Sequence, residues 1–253
     1  KGARNSFPKE QPTVRYFSMG SNEWQTSESW PPAGATRTRL YLHSGGQANT
    51  LLGDGLLLPD TPVATNKDTF VYDPMNPVPS RGGNICCLGD TVAPGSFDQR
   101  SIEARNDVLV YTSEPLDHDL ELSGPIDVVL FVSSDAKDSD FTIKLLDVDT
   151  EGAAWNLDET IRRARYRQGF DREVFMEADA VYELRLGPLV TSNVFRAGHR
   201  IRIEVSSSNY PRFARNMNTG GQNARETQHV VANNAVHHGP DRASYIELTL
   251  VDR

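Results

Sequence analysis

Residues 200–205 read Arg-Ile-Arg-Ile-Glu-Val and show most plainly the pattern that sets the architecture of this chain. Apolar and charged side chains alternate one by one, which is typical of a β-strand with one face buried and the other in solvent. The same period of two recurs outward from this stretch, at residues 182–186, 246–250 and 40–42. A near-continuous apolar run at residues 126–132, rich in β-branched side chains, indicates a central strand that is buried on both faces.

Turn residues separate these segments at short intervals. Residues 123–125 read Ser-Gly-Pro, and Glu151-Gly152 lies between two strand-like segments and predicts a hairpin. Many short strands at such spacing favour an all-β sandwich. Two stretches, 158–167 and 222–234, have weaker patterns that are also compatible with helices.

The 253-residue chain is acidic, with a formal net charge of −8 and a pI of about 5.3. An acidic surface repels phosphate backbones, so nucleic acid is not expected as a partner. No apolar run approaches the roughly 18 residues that a membrane helix needs, so no membrane partner is expected either. Hydrophobic residues make up 38% of the chain, which is enough for a sizeable core, and we expect a soluble domain.

The two cysteines, Cys86 and Cys87, are adjacent in the sequence. Neighbouring cysteines rarely pair because the ring that they close is strained, so we expect no disulfide framework. This favours a reducing, cytoplasmic compartment, with secretion as the alternative. The flanking residues Ile85 and Leu88 are apolar, which favours small buried side chains over reactive thiols at these positions.

The chain shows no complete catalytic or metal-binding motif. No serine lies in the Gly-x-Ser-x-Gly turn that presents a hydrolase nucleophile, and Ser44, for example, lacks the preceding glycine. Acidic residues from Asp147 to Asp158 loosely match the spacing of a calcium-binding loop. Their flanks alternate like strands, so an acidic hairpin is the preferred interpretation. We therefore predict no catalytic residue, no metal ligand and no cofactor in this chain.

An ordered series of short motifs runs through nearly the whole chain, from about Val14 onward. In order, the motifs are Phe17-Ser-Met-Gly-Ser-Asn-Glu-Trp24, Trp30-Pro31, Tyr72-Asp73-Pro74, Pro77-Val78-Pro79, Gly82-Gly83, Asp98-Gln99-Arg100, Arg105-Asn106-Asp107, Tyr111-Thr112-Ser113, Asp138-Ser139-Asp140-Phe141, Gly198-His199-Arg200-Ile201, Ser206-Ser207-Ser208-Asn209-Tyr210-Pro211 and Asn216-Met217-Asn218-Thr219-Gly220-Gly221. The series resembles the C-terminal domain of CocE/NonD-type hydrolases, which include cocaine esterase, α-amino acid ester hydrolases and X-Pro dipeptidyl-peptidases. Each motif is short, and their number and order carry the resemblance.

This resemblance implies a fold and a partner. Such domains are jelly-roll β-sandwiches of the galactose-binding-like type, so residues 14–253 are expected to form one domain after an N-terminal extension or linker at residues 1–13. The implied partner is an α/β-hydrolase domain of the same protein, which carries the family's Ser-Asp-His triad and acts on a small-molecule ester or amide. The whole protein would be a serine hydrolase, whether esterase, acylase or dipeptidyl-peptidase. This domain would buttress its catalytic partner and contribute to contacts in a homodimer.

The resemblance also implies a site. In the family one loop of the sandwich closes a wall of the acyl pocket, and by order along the chain it maps to the segment after residue 83. We therefore predict that Ile85, Cys86, Cys87 and Leu88 line the rim of the substrate pocket. Relatives often carry bulky residues there, so two cysteines imply a roomier wall. The residues agree with this mapping, because a long apolar loop is costly to expose and needs a partner surface.

Two other functions are weighed against this one. A free-standing carbohydrate-binding module is the main alternative, and it would expose coplanar aromatic rings. Trp24, Trp30 and Trp155 are far apart in sequence, and we expect them to lie in the core or at an interface instead. An independent hydrolase comes third, because it would need a triad assembled from the six histidines and the many acidic residues without any sequence motif.

Overall fold

The computed structural model describes residues 12–86, 91–222 and 224–251, and these residues are almost entirely β-structure. The strands are β1 (Val14–Ser18), β2 (Glu23–Ser27), β3 (Thr36–His43), β4 (Leu56–Leu58), β5 (Asn66–Tyr72), β6 (Leu109–Thr112), β7 (Leu120–Ser134), β8 (Asp140–Val148), β9 (Ala154–Arg163), β10 (Tyr182–Phe195), β11 (Arg200–Ser206), β12 (Ala232–His238) and β13 (Tyr245–Val251). The helical segments of this described part are a short helix, α1 (Arg100–Glu103), and a 3-10 turn (Ala164–Tyr166). The prediction of an all-β chain is confirmed.

Strand β7 is the central strand of the first layer, as its apolar run predicts. It pairs antiparallel with β10 on one edge, and with β12 and then β13 on the other. The ladder continues from β12 to β5 and from β13 to β3. Ile126, Val128 and Leu130 of β7 are fully buried in the core, so this strand organises the packing of the layer.

The second layer consists of β6, β11, β8 and β9, in which β11 lies between β6 and β8, and β9 pairs with β8. The short strand β4 joins the layers, because it pairs with β3 and also meets β6 at Leu56 and Thr112. The largest buried cluster draws side chains from both layers, for example Leu130 of β7 and Ile203 of β11. The architecture is therefore a β-sandwich, while the jelly-roll order and the galactose-binding-like type stay predictions.

The two stretches with a helical alternative are mostly not helical. Residues 158–163 belong to β9, which pairs with β8 across a register irregularity between Leu145 and Leu146. The irregularity falls at Leu157, just before this stretch, and most of residues 158–163 are half-buried, so neither face of the strand stands out in the sequence. Residues 222 and 224–231 are irregular, and residues 232–234 form the start of β12.

The charged side chains of β11 are buried, contrary to the expectation of a solvent-exposed face. Arg202 and Glu204 are only 8% and 4% exposed. The alternation separates the two faces of the strand correctly, but the outer face is covered by the long irregular segment between β5 and β6. Val78, Ile102 and Val108 of this segment form a small apolar cluster with Val110 of β6.

The hairpin of β1 and β2 stands beside the sandwich as a separate sheet. Met19 in its turn joins it to β10, since Met19 N donates to Ser192 O at 3.0 Å and Val194 N donates to Met19 O at 2.8 Å. Residues 1–11 of the predicted extension lie outside the described residues, so the domain boundary at residue 14 stays a prediction. Within the described ranges, no helix has the length and apolar character needed to cross a membrane.

Candidate functional site

The predicted pocket rim lies partly within the described residues. We refer to residues 80–86 as the rim loop. Ile85 is half-buried and Cys86 is exposed, whereas Cys87 and Leu88 lie outside the described residues. The rim role of all four residues stays a prediction.

The state of Cys86 corrects two expectations. Cys86 is disulfide-bonded, although adjacent cysteines were expected to remain unpaired, and the one other cysteine of the sequence is Cys87. It is also exposed rather than a small buried side chain. Ring strain raises the free energy of a disulfide between neighbouring cysteines but does not prevent the bond from forming. A thiol that is open to solvent is also accessible to oxidation.

Two glycines give the rim loop its shape. Gly82 and Gly83 have φ angles of +71° and +102°, which residues with side chains rarely adopt. Gly83 N donates to Gly95 O at 2.7 Å, and Gly95 N donates to Gly83 O at 3.0 Å. A Cβ atom on Gly83 would lie 2.6 Å from Glu159 Oε1 and 2.8 Å from Arg212 Nη1, so a side chain here would displace the ion pair against which the loop packs.

Arg212 fastens the rim loop to strand β9. Its guanidinium binds the carboxylate of Glu159 and the side-chain oxygen of Asn84. Asn84 in turn donates from Nδ2 to Asp158 Oδ1 at 3.1 Å. The backbone N of Arg212 also donates to Ser80 Oγ at 3.1 Å. The loop is therefore held at its first residue and at Asn84 by one arginine.

Lys144 lies at the centre of the contacts behind the rim loop. Its ammonium group is almost fully buried, pairs with Glu204 at 3.0 Å and lies 3.9 Å from Glu159. It also donates to Gln99 Oε1 at 2.8 Å. Gln99 Nε2 donates to Arg81 O at 2.9 Å, so Lys144 reaches the loop through a second route. A buried lysine needs such partners, because an unpaired ammonium group in the interior is very costly.

A second ion pair extends this buried charge layer. Arg202 Nη1 donates to Glu103 Oε2 at 2.9 Å, and both side chains are shielded from solvent. Burial raises the pKa of Glu103 to about 7, against the opposing charge of Arg202. Burial likewise raises the pKa of Glu204, against the opposing charge of Lys144. The ionic layer formed by Glu103, Lys144, Glu159, Arg202, Glu204 and Arg212 is called the buried ionic cluster below.

Sequence reasoning missed the buried ionic cluster. The available signal was Lys144 itself, which interrupts the apolar stretch Ile143-Lys144-Leu145-Leu146. A lysine within an otherwise buried strand needs buried acidic partners. Those partners come from other strands and loops far away in the sequence, so the sequence alone does not identify them.

A serine, a histidine and an aspartate do meet in the core, but not in the order of a catalytic triad. Asp68 Oδ2 accepts from Ser44 Oγ at 2.6 Å, from Tyr111 OH at 2.8 Å and from His238 Nε2 at 2.5 Å. In a triad the histidine lies between the acid and the serine. Here both contact the acid, and Asp68, Tyr111 and His238 have at most 1% of their surface exposed. This cluster therefore has the features of a buried structural network.

Two further histidine pairs among the described residues are incomplete as triads. Ser133 Oγ and His237 Nε2 lie 2.9 Å apart, and burial lowers the pKa of His237 to about 4, with Arg242 adding to the effect. His199 Nδ1 and Asp147 Oδ1 lie 2.8 Å apart. Among the described contacts, His237 makes no hydrogen bond to a carboxylate, and His199 makes none to a serine.

The acidic turn at residues 147–152 is a hairpin, as predicted. It connects β8 to β9, and Asp149 Oδ1 accepts from Glu151 N and Ala153 N, each at 2.9 Å. Asp149 Oδ2 accepts from Trp155 Nε1 at 3.0 Å. The aspartate thus satisfies the amides of its own turn.

The exposed aromatic rings of the hairpin are not coplanar. Phe17 and Trp24 are 42% and 60% exposed, and their ring planes meet at 70°. Tyr16 and Trp30 meet at 66°. A flat platform for a sugar ring needs parallel exposed faces, so this arrangement does not favour a carbohydrate site. Trp24, Trp30 and Trp155 are all exposed, so none of these three side chains lies in the core.

Fold and site together define a class of protein. The described residues form a β-sandwich in which a prominent loop is fixed over a buried ionic cluster. The chain belongs to the family described as X-Pro dipeptidyl-peptidase C-terminal non-catalytic domain, whose model matches residues 5–247.

Known relatives are much longer than this chain. It is 44% identical over 245 residues to the cocaine esterase of Rhodococcus sp. (strain MB1 Bresler), and the aligned region covers 96% of this chain and 42% of the esterase. An α-amino acid ester hydrolase structure matches with a TM-score of 0.84 and 28% identity, over 95% of this chain and 41% of that chain. An aminopeptidase from a marine-sediment Thaumarchaeota archaeon matches with the same score and identity, over 96% and 41%. The resemblance to CocE/NonD-type hydrolases is thereby confirmed.

Proposed function

We propose that this chain buttresses an α/β-hydrolase domain of the same protein and completes its acyl pocket with the rim loop. The protein would be a serine hydrolase that cleaves a small ester or amide, whether as an esterase, an acylase or a dipeptidyl-peptidase. Family membership and the 44% identity to an esterase support this proposal. Homodimer contacts through the sandwich are part of the same proposal.

The observation that carries the proposal is the way in which the rim loop is held. Its backbone is fixed by the Gly83–Gly95 hydrogen bonds and by Arg212 and Lys144, while Ile85 and Cys86 retain accessible surface. Groups that line a substrate site need such support, because small displacements weaken the complementarity between pocket and substrate. A loop that served only as a connection would not need a buried lysine and a half-buried arginine behind it.

The test uses the polypeptide that carries this chain together with a hydrolase domain. Ile85→Trp adds bulk to the proposed rim, so KM for esters with a large acyl group should rise about tenfold while esters with a small acyl group change little. Replacing Cys86 and Cys87 by Trp should have the same selective effect. Steady-state kinetics on aryl esters of increasing acyl size give the comparison.

Leu52→Trp is the matched control, because Leu52 lies in a different loop and is 93% exposed. Its kinetics should equal those of the unmodified protein for every ester. If Ile85→Trp changes neither KM nor its dependence on acyl size, the rim loop does not form a wall of the acyl pocket.

A further inference from the structure

A cleft of about 300 Å³ lies on the outer face of the strands β3, β13, β7 and β10. It shares no residue with the rim loop. Its apolar surface includes Pro188, and one wall is the ring of Tyr245. The guanidinium carbon of Arg39 lies 4.4 Å from the centroid of that ring. The cleft thus has a flat wall that is both aromatic and cationic.

Arginines from three strands line this cleft. They are Arg39 of β3, Arg162 of β9 and Arg185 of β10. The chain as a whole has a formal net charge of −8, so a local concentration of guanidinium groups runs against the charge of the rest of the molecule. Such a concentration produces a local potential that attracts anions.

The two carboxylates in the cleft are already engaged by arginines. Arg37 binds both Asp127 and Glu247, and Arg39 Nε donates to Glu247 Oε1 at 2.7 Å. The hydrogen bond from Arg37 holds the pKa of Glu247 below its usual range, so this acid stays ionised and paired. The charges of Asp127 and Glu247 are therefore balanced by Arg37 and Arg39, and they leave Arg162 and Arg185 for another anion.

Arg162 differs from its neighbours in the cleft. Its Nε is buried and has no hydrogen-bond acceptor among the described residues. The guanidinium carbon lies 4.7 Å from the ring centroid of Phe170, a contact that does not satisfy that donor. A buried donor without an acceptor costs free energy. Arg162 lines the cleft, so its side chain can turn outward and offer this donor to an oxygen atom of a ligand, which removes that cost.

Arg185 can contribute a second guanidinium. It pairs with Glu183 at 2.6 Å, but its side chain is 72% exposed. An ion pair at such an exposed position contributes little stability and exchanges readily with solvent or ligand. Arg185 is thus free to turn toward an anion that is held by Arg162.

We propose that this cleft binds a small oxyanion, a carboxylate or a phosphate group, with Arg162 and Arg185 as its principal ligands. Guanidinium groups present pairs of N–H donors that match two oxygen atoms of such a group. The wall formed by Arg39 and Tyr245 would accommodate a planar part of the same ligand. The proposal is independent of the rim loop and of any hydrolase partner.

The test is an NMR titration of the ¹⁵N-labelled 253-residue chain, in which the Nε–Hε signals of arginine are followed. Sodium phosphate and sodium acetate are the probes, each added at an ionic strength held constant with sodium chloride. The Arg162 signal, identified by its loss in Arg162→Gln, should shift and saturate. Tighter binding of phosphate marks a phosphoryl ligand and tighter binding of acetate a carboxylate, and either result supports the site.

Variants distinguish a specific anion site from the nonspecific attraction of anions to surface arginines. Arg162→Gln should weaken binding, read on the remaining arginine signals of the cleft, at least about tenfold. Arg162→Lys should also weaken it, because an ammonium group lacks the paired donors. Arg172→Gln, at an exposed arginine elsewhere, should leave affinity within about twofold.

The proposal is overturned if neither anion produces a saturable shift of the Arg162 signal. It is equally overturned if Arg162→Gln binds as tightly as the unmodified chain. Circular dichroism checks that each variant is folded. Should Arg162→Gln fail to fold, Arg185→Gln decides the matter: weaker binding than in Arg172→Gln supports the site, and equal binding overturns it.

Discussion

Glu103 is a carboxyl group with no solvent-exposed surface, and its partner is the guanidinium of Arg202. Its pKa of about 7 exceeds the ordinary value of 4.5 because burial disfavours the charged form more than Arg202 favours it. In the unfolded chain the group titrates near its ordinary value. Between these two pH values the folded protein therefore binds more protons at this position than the unfolded protein does.

The pH dependence of stability follows from that difference. The contribution of Glu103 is complete below about pH 4.5 and is lost as the pH rises through about 7. The lost free energy of unfolding is at most about 3–4 kcal/mol, at about 1.4 kcal/mol for each pH unit between the two pKa values. Glu103→Gln removes this titration, so the stability of the unmodified chain relative to the variant should fall from pH 5 to pH 8.

Urea unfolding of both proteins at several pH values gives the measurement. Glu204 titrates in both proteins, so the comparison reports Glu103 together with its charge coupling to Glu204. Parallel curves for the two proteins would show that Glu103 has the same pKa in the folded and unfolded chain. A difference that grows with pH would mean that Arg202 outweighs burial.

The elements show where sequence reasoning succeeds and where it stops. The period of two located β3, β10, β11 and β13, because alternation depends only on the residues of one strand. It placed Arg202 and Glu204 in solvent, because periodicity shows which residues share a face and not what covers that face. The irregular segment that covers them has no period at all.

The same reasoning applies to the candidate site. The position of the rim loop followed from the order of motifs along the chain, and Gly82-Gly83 marked the turn. The supports of the loop, Lys144 and Arg212, were not predicted because each contact spans more than 40 residues of sequence. Lys144 joins β8 to Gln99 and Glu204, and Arg212 joins the rim loop to Glu159 of β9. Only the folded sheet brings these side chains together.

Lys144 is the element-scale test of this support. Lys144→Met leaves Glu204 and Glu159 buried without their shared cation, so the free energy of unfolding should fall by about 3–5 kcal/mol. Amide hydrogen exchange of residues 80–86 should accelerate in the same variant, because Gln99 loses the partner that orients it toward Arg81. Denaturant unfolding and hydrogen-exchange mass spectrometry provide the two readouts.

Lys137→Met is the matched control, since Lys137 is an exposed lysine in the connection before β8. Its effect on stability should stay within about 0.5 kcal/mol. Arg212→Met gives a second variant that keeps Lys144 and removes only the outer contacts to Asn84 and Glu159. Lys144→Met and Arg212→Met are each compared with the unmodified chain. If residues 80–86 exchange at the same rate in all three proteins, the buried ionic cluster does not hold the rim loop.

At the scale of the whole molecule, the hairpin of β1 and β2 is the surface that the sandwich leaves uncovered. Phe17 and Trp24 face each other across its strands and point outward, with Arg15 over the indole at 4.8 Å from the ring centroid. Contiguous aromatic surface of this kind is typical of an interface. The chain spans 42% of the cocaine esterase that it matches, so under the proposed function a hydrolase domain is available to cover these rings.

This leads to a prediction that compares two molecules. In the 253-residue chain the double change Phe17→Ser and Trp24→Ser should alter the free energy of unfolding by only about 1 kcal/mol, the contribution of one exposed aromatic pair. In a polypeptide that also carries the hydrolase domain, the same change should destabilise the protein by several kcal/mol, because buried aromatic rings dominate an interface. Thermal unfolding of both proteins measures the difference, and Leu52→Ser, at a side chain that is 93% exposed, serves as the control in each. An equal effect of the double change in the two proteins would exclude the hairpin from the domain interface and assign the buttressing role to another face of the sandwich.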